Sequence, residues 1–228
     1  VTEAPSSISI ITADEIKKYG YRNFAEILRS IRGFHVTYDR IYHYLGTRGF
    51  GLPRDYNTRV LLLIDGHRTN DNVYDQAMLG TEFPLDIDLI ERIEIIRGPG
   101  SSLYGSNAFF AVINVITRKG RDFKGFETSG DAGSFETYKT RFSYGNRFQN
   151  GLEMLLSGSY YDSEGDDRLF FREFDDPGTN NGFAEDLDYQ RLGSFFTEFS
   201  FRDFTLQGNY FQRKKGIPTA PWETKFNE

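Results

Sequence analysis

Two hydrophobic rhythms divide this chain. In the first half, apolar residues come in short unbroken blocks and at helical spacing. Val60–Ile64 is a continuous aliphatic run closed by Asp65-Gly66, which reads as a buried strand ending in a tight turn. Arg92–Arg97, with Ile93, Ile95 and Ile96, reads as a second strand, broken by Gly98-Pro99-Gly100. Ser101–Asn107 is then a compact small-residue turn and Phe109–Thr117 a further β-rich run. Near the start, Ser7–Ile11 is extended in character, and Thr12-Ala13-Asp14-Glu15 is a capping box that opens a short helix ended by Gly20. Asn23 opens a second helix, in which Phe24, Ile27, Leu28 and Ile31 form one buried stripe and Gly33 closes the end. Arg29 and Arg32 stand near its C-terminus, where the macrodipole favours cations. Two polar, Gly-rich passages, Thr37–Asn57 and His67–Phe83, read as loops on this small α+β core, the usual place for binding residues.

After residue 120 the period becomes two. In Thr137–Phe148, the residues Tyr138, Phe142, Tyr144 and Phe148 share one face, and Lys139, Arg141, Ser143 and Arg147 the other. Asn150-Gly151 is a hairpin turn, after which Leu152, Met154, Leu156 and Tyr160 alternate with Glu153, Ser157 and Ser159. Phe195, Thr197, Phe199 and Phe201 alternate with polar neighbours, and Phe204, Leu206, Gly208 and Tyr210 do so again after a turn at Arg202-Asp203. With a first strand near Lys124–Gly130, these make five antiparallel strands. Alternation alone leaves two folds open: a soluble sandwich with its apolar face inside, or a membrane barrel with that face outside. Strand length and connections favour the barrel. The runs exceed the usual soluble strand of about 5–6 residues and suit a tilted span of about 9–11. Short turns on one side contrast with the long acidic connection Ser163–Asp188 on the other.

Composition changes where the rhythm does. Residues 1–120 hold 15 Ile and 6 Val against one Ile and no Val in 121–228, while Phe rises from 6 to 16. This predicts two domains, 1–120 and 121–228, joined within Lys119–Lys124. No run of 18 apolar residues exists, so no transmembrane helix is expected, and residue 1 does not begin a signal peptide. The net charge of −6 argues against a nucleic-acid partner, and the absence of Cys removes a disulfide framework.

Candidate chemistry is sparse. Gly100 and Gly105 have the spacing of a phosphate loop, but Ser106-Asn107 stands where the gripping Lys and its hydroxyl neighbour belong; Gly98-x-Gly100 lacks the third Gly of a dinucleotide site. His35, His43 and His67 are scattered without zinc spacing, and no nucleophile elbow or acid–base couple stands out. No catalytic residue, metal site or cofactor is expected. The acidic connection, which includes Asp166, Asp167, Asp175, Asp176, Glu185, Asp186 and Asp188, lacks a calcium-loop pattern and reads as a solvated loop.

The stretch IERIEIIRGPGSSLYGSNAFFAVINVITRKG closely resembles the end of the plug domain of TonB-dependent outer-membrane receptors, with Ala111 where many members carry Gly. LRSIRGF, TRGFG and RVLLLIDGHRTND resemble further elements of that domain in the same order, with Arg32 where Pro is usual, so the likeness covers residues 4–120. It implies an α+β plug followed by antiparallel strands of a transmembrane β-barrel. Five strands cannot close a barrel, and family barrels have about 22, so the barrel in this chain is expected to be incomplete and the TonB box to lie upstream. The resemblance further implies a bacterial outer-membrane receptor that imports a scarce solute, such as a ferric siderophore, haem or cobalamin. Its expected partners are TonB with the inner-membrane energising complex, a small ligand such as a metal chelate, and outer-membrane lipid. Arg48 and Arg97 match plug arginines that pair with barrel-wall glutamates; the plainer alternative is an Arg at a strand end bonding carbonyls. By position in the outward plug loops, Asp55, Tyr56, Asn57, Tyr74 and Asp75 are the expected ligand contacts.

Overall fold

The computed structural model describes residues 7–51 and 54–227. They form two compact units, meeting in sequence between Arg118 and Lys119.

The first unit begins with β1 (Ser7–Thr12) and α1 (Ala13–Tyr19). Both halves of the capping box form: Thr12 Oγ1 accepts the Glu15 N–H, and the Thr12 N–H donates to Glu15 Oε2 at 2.9 Å. Gly20 ends α1 in the left-handed conformation with φ 65°. α2 (Phe24–Arg29) starts at Asn23, whose side chain accepts the Glu26 N–H. It stops earlier than its apolar stripe suggests. Ser30 caps it, donating its hydroxyl to the Ile27 carbonyl at 2.7 Å, and Ile31 is buried beyond the helix end. Within the expected loop Thr37–Asn57 the structure instead places a hairpin, β2 (Phe34–Tyr38) and β3 (His43–Thr47). β4 (Val60–Ile64), β5 (His67–Arg68), β6 (Ile90–Arg97), the single turn α3 (Ser101–Tyr104) and β7 (Ala111–Thr117) complete the unit.

The main sheet has the order β1-β6-β7-β4-β5, with β4 and β7 parallel and the other pairs antiparallel. All of β4 is buried, which explains its unbroken aliphatic run. Leu61 and Leu63 meet Ala108 and Val112, with Ile96 alongside. Leu62, Ile93, Ile95 and Ile113 are fully buried, as are Phe24, Ile27 and Leu28 of α2; Phe24 stacks on Phe83 at 4.1 Å.

The second unit opens with the short helix α4 (Gly120–Phe123). β8 (Gly125–Gly133), β9 (Thr137–Arg147), β10 (Glu153–Ser163), β13 (Gln190–Phe201) and β14 (Phe204–Lys215) form one antiparallel sheet in the order β14-β13-β10-β9-β8. The connection between β10 and β13 is not a featureless acidic loop. It holds its own hairpin, β11 (Arg168–Phe170) with β12 (Phe183–Glu185), in which Arg168 lies 3.7 Å over the Phe183 ring.

The register sorts the large sheet into two faces. On one, Phe126, Tyr138, Phe142, Tyr160, Phe195, Phe204, Leu206 and Tyr210 are exposed. On the other, Arg141, Ser143, Glu153, Ser157 and Glu198 are buried. This is the reverse of a soluble sandwich, and it decides between the two folds that alternation left open.

Candidate functional site

Both loops expected to carry ligand contacts gather at the start of β4. Two buried asparagines hold them there. Asn57 donates to the carbonyls of His43 (2.9 Å) and Ala77 (3.0 Å) and accepts the Leu45 N–H at 2.8 Å. Asn70 donates to the carbonyls of Val60 and Asp75 and accepts the Leu62 N–H. Asn57 is therefore not a surface contact. It is 4 % exposed with its amide committed to three backbone groups, because a buried hairpin and a distant loop need one bridging donor–acceptor between them.

The other four expected residues do come together. Tyr56 and Tyr74 stack with ring centroids 5.5 Å apart, and Tyr42 meets Tyr56 edge-on at 6.4 Å. Tyr74 is 64 % exposed. Asp55 lies 3.5 Å from Arg59 and accepts the Thr58 hydroxyl, while Asp75 pairs with Arg68. Tyr56, Asn57 and Asp75 all have left-handed backbones, with φ of 51°, 55° and 55°. Such conformations cost about 1–3 kcal/mol each and persist where neighbours impose them.

Asp71 imposes the shape of the second loop. Its carboxylate accepts the N–H groups of Val73, Tyr74 and Gln76 at 2.7–2.8 Å. Burial alone would raise this carboxyl, but those three donors and nearby Arg68 outweigh it and hold its pKa below the ordinary value. Burial, then the hydrogen bond to Asp39, pushes the Tyr44 phenol above its usual range. Sequence reading missed Tyr42, Arg68 and Asp71. Only the Asp71-x-Val73 spacing, typical of an Asx turn, signalled any of them.

Arg48 and Arg97 are brought to one place. Arg97, at the end of β6, donates to the Arg32 carbonyl and to the Ser9 hydroxyl (3.1 Å), and the Arg48 N–H donates to the next carbonyl, Gly33 O, at 2.7 Å. Arg48 is exposed with φ 53°.

In the second unit the buried face is linked across strands by side chains. Ser143 and Ser157 hydroxyls are 2.8 Å apart, Ser159 and Ser194 are 2.7 Å apart, and Arg141 reaches Ser143 and Glu127. No cluster of metal-ligating side chains occurs among the described residues.

Residues 1–112 match the TonB-dependent Receptor Plug Domain family. The chain belongs to the TonB-dependent receptors. The vitamin B12 transporter of Vibrio vulnificus strain CMCP6 is 32% identical over 88% of this chain and 32% of its own length. The iron-regulated outer membrane virulence protein of Vibrio cholerae serotype O1 is 37% identical over 52% of this chain and 18% of its own. In fold, the chain superposes on the ferripyoverdine receptor of Pseudomonas aeruginosa, solved with ferripyoverdine, with a TM-score of 0.66 at 18% identity, covering 92% of this chain and 26% of that one. The chain thus spans about a third or less of the relatives it matches. It is a receptor plug followed by antiparallel barrel strands, and the relatives are receptors and transporters.

Proposed function

We propose that the protein containing this chain is an outer-membrane receptor that captures a scarce metal chelate or cobalamin and imports it with energy supplied through TonB. In that protein residues 1–120 act as the plug and residues 121–228 as the first wall strands. The carrying observation is the inverted sheet: a wall with Phe126, Phe142 and Phe204 outward and Arg141, Ser157 and Glu198 inward suits lipid on one side and a wet lumen on the other. The relatives' names, for a vitamin and for iron-regulated surface proteins, support the solute class.

The stacked pair Tyr56 and Tyr74, with Tyr42 at its edge, is the proposed solute contact, because exposed aromatic faces grip large, partly planar chelates at little entropic cost. Asp55 and Asp75, each beside an arginine, set the polar rim. Arg48 and Arg97, converging on Arg32-Gly33, are the proposed anchors to glutamates of the wall.

Uptake of radiolabelled cyanocobalamin and of ferric chelates by cells carrying the full-length receptor tests this reading. TonB-dependent accumulation of one of them is expected. Binding without accumulation would instead favour a ligand-binding outer-membrane protein that does not transport.

A further inference from the structure

The basic residues that open the second unit are locked to two buried glutamates of its sheet. The Lys119 ammonium lies 2.8 Å from Glu198 Oε2, which also accepts Gln207 Nε2 at 3.2 Å. Arg121 gives both its backbone N–H (3.0 Å) and its Nε (2.9 Å) to Glu153 Oε1. The Glu198 and Glu153 side chains are only 6% and 7% exposed, against 28% for Lys119 and 56% for Arg121. Removing either cation would leave a buried carboxylate without its ion-pair partner, which is strongly destabilising, so the bond to the linker is one the wall itself requires.

The backbone adds a second constraint. A Cβ on Gly120 would stand 2.1 Å from the Met154 carbonyl, and one on Gly145 would strike Phe123 and the Gly120 carbonyl within 2.9 Å. Glycine at both positions lets α4 lie directly on β9 and β10. The Lys119 N–H closes the helix start on Asp122 Oδ2 at 2.7 Å.

We propose that α4 with Lys119 and Arg121 is a clamp that fixes the C-terminal end of the plug to the wall. Force applied upstream then remodels the plug as far as Arg118 and stops there. The proposal rests on the plug-and-wall reading above, but no solute or energy source enters its test.

In the full-length receptor purified in detergent, Lys119→Glu or Glu198→Lys alone should speed amide hydrogen exchange in residues 119–124 by roughly tenfold, with β9–β10 still protected. The swapped pair, Lys119→Glu with Glu198→Lys, should restore slow exchange. If either single variant does not assemble, Glu198→Gln keeps the side-chain volume and should release 119–124 selectively. Unchanged exchange in the variants that assemble, or a swapped pair no better than the worse single variant, would overturn the clamp. Failure of uptake with the clamp intact would instead count against the transport reading.

Discussion

Asn57 Oδ1 accepts the Leu45 N–H at 2.8 Å, and through its own NH₂ the same side chain ties β3 to the Ala77 loop. Asn57→Ala leaves one buried donor and two buried acceptors without this partner. It should destabilise the plug by about 2–4 kcal/mol, given the usual cost of stranding buried polar groups. Hydrogen exchange of the full chain should show both the hairpin β2–β3 and residues 71–77 losing protection together. Loss confined to residues 54–59 would contradict the bridging role.

Tyr56 and Tyr74 make separate demands on a solute. Tyr56→Ala removes the half-buried member of the stack and Tyr74→Ala the exposed one, so each should weaken solute binding by about tenfold, the order of one lost aromatic contact. Tyr56→Phe keeps the ring and should keep the affinity. Equal affinity across all three variants, measured by equilibrium binding to the full-length receptor, would move the contact elsewhere.

Asp71 gives the plug a pH signature. Its folded pKa lies below its ordinary value, so its stabilising effect is complete above the unfolded pKa of about 3.9 and fades as pH falls through the lower folded value. Wild type should therefore melt above Asp71→Asn at pH 6, and the gap should shrink and close as pH falls through the lowered folded value. A gap that persists at acid pH would mean the three N–H bonds need no charge.

Phe142 lies on the exposed face, opposite Thr128 on β8 and Gly158 on β10. In the assembled receptor, Phe142→Arg should cost about 2–4 kcal/mol if this mid-strand position lies near the bilayer midplane. The yield of folded, heat-modifiable protein in outer membranes should fall. Ser159→Thr on the opposite face should leave that yield unchanged.

Arg97 tests the anchoring role. Arg97→Ala in the full-length receptor should loosen the plug and raise passive permeation of a large antibiotic. Unchanged permeability would reduce Arg97 to its bonds with Arg32 and Ser9.

What was legible in the chain was local. The Thr12–Glu15 box, the Asn23 cap, the Asp65-Gly66 turn and the period-two strands depend on residues a few positions apart, whose torsional and hydrogen-bonding preferences act before any tertiary contact. The hairpin β2–β3 was not legible, because its polar and aromatic residues become strands only when Asn57 and the Glu82 carboxylate bond their backbone from far along the chain. The convergence of Arg48 and Arg97 on Arg32-Gly33, and the clamp of Lys119 and Arg121, likewise join residues that share no local pattern. Sequence alone determined the local caps and turns, the change of rhythm near residue 120 and the family likeness. Only the tertiary structure decided which face of the second sheet is covered, since alternation is symmetric and the choice between lipid and core depends on what surrounds the sheet.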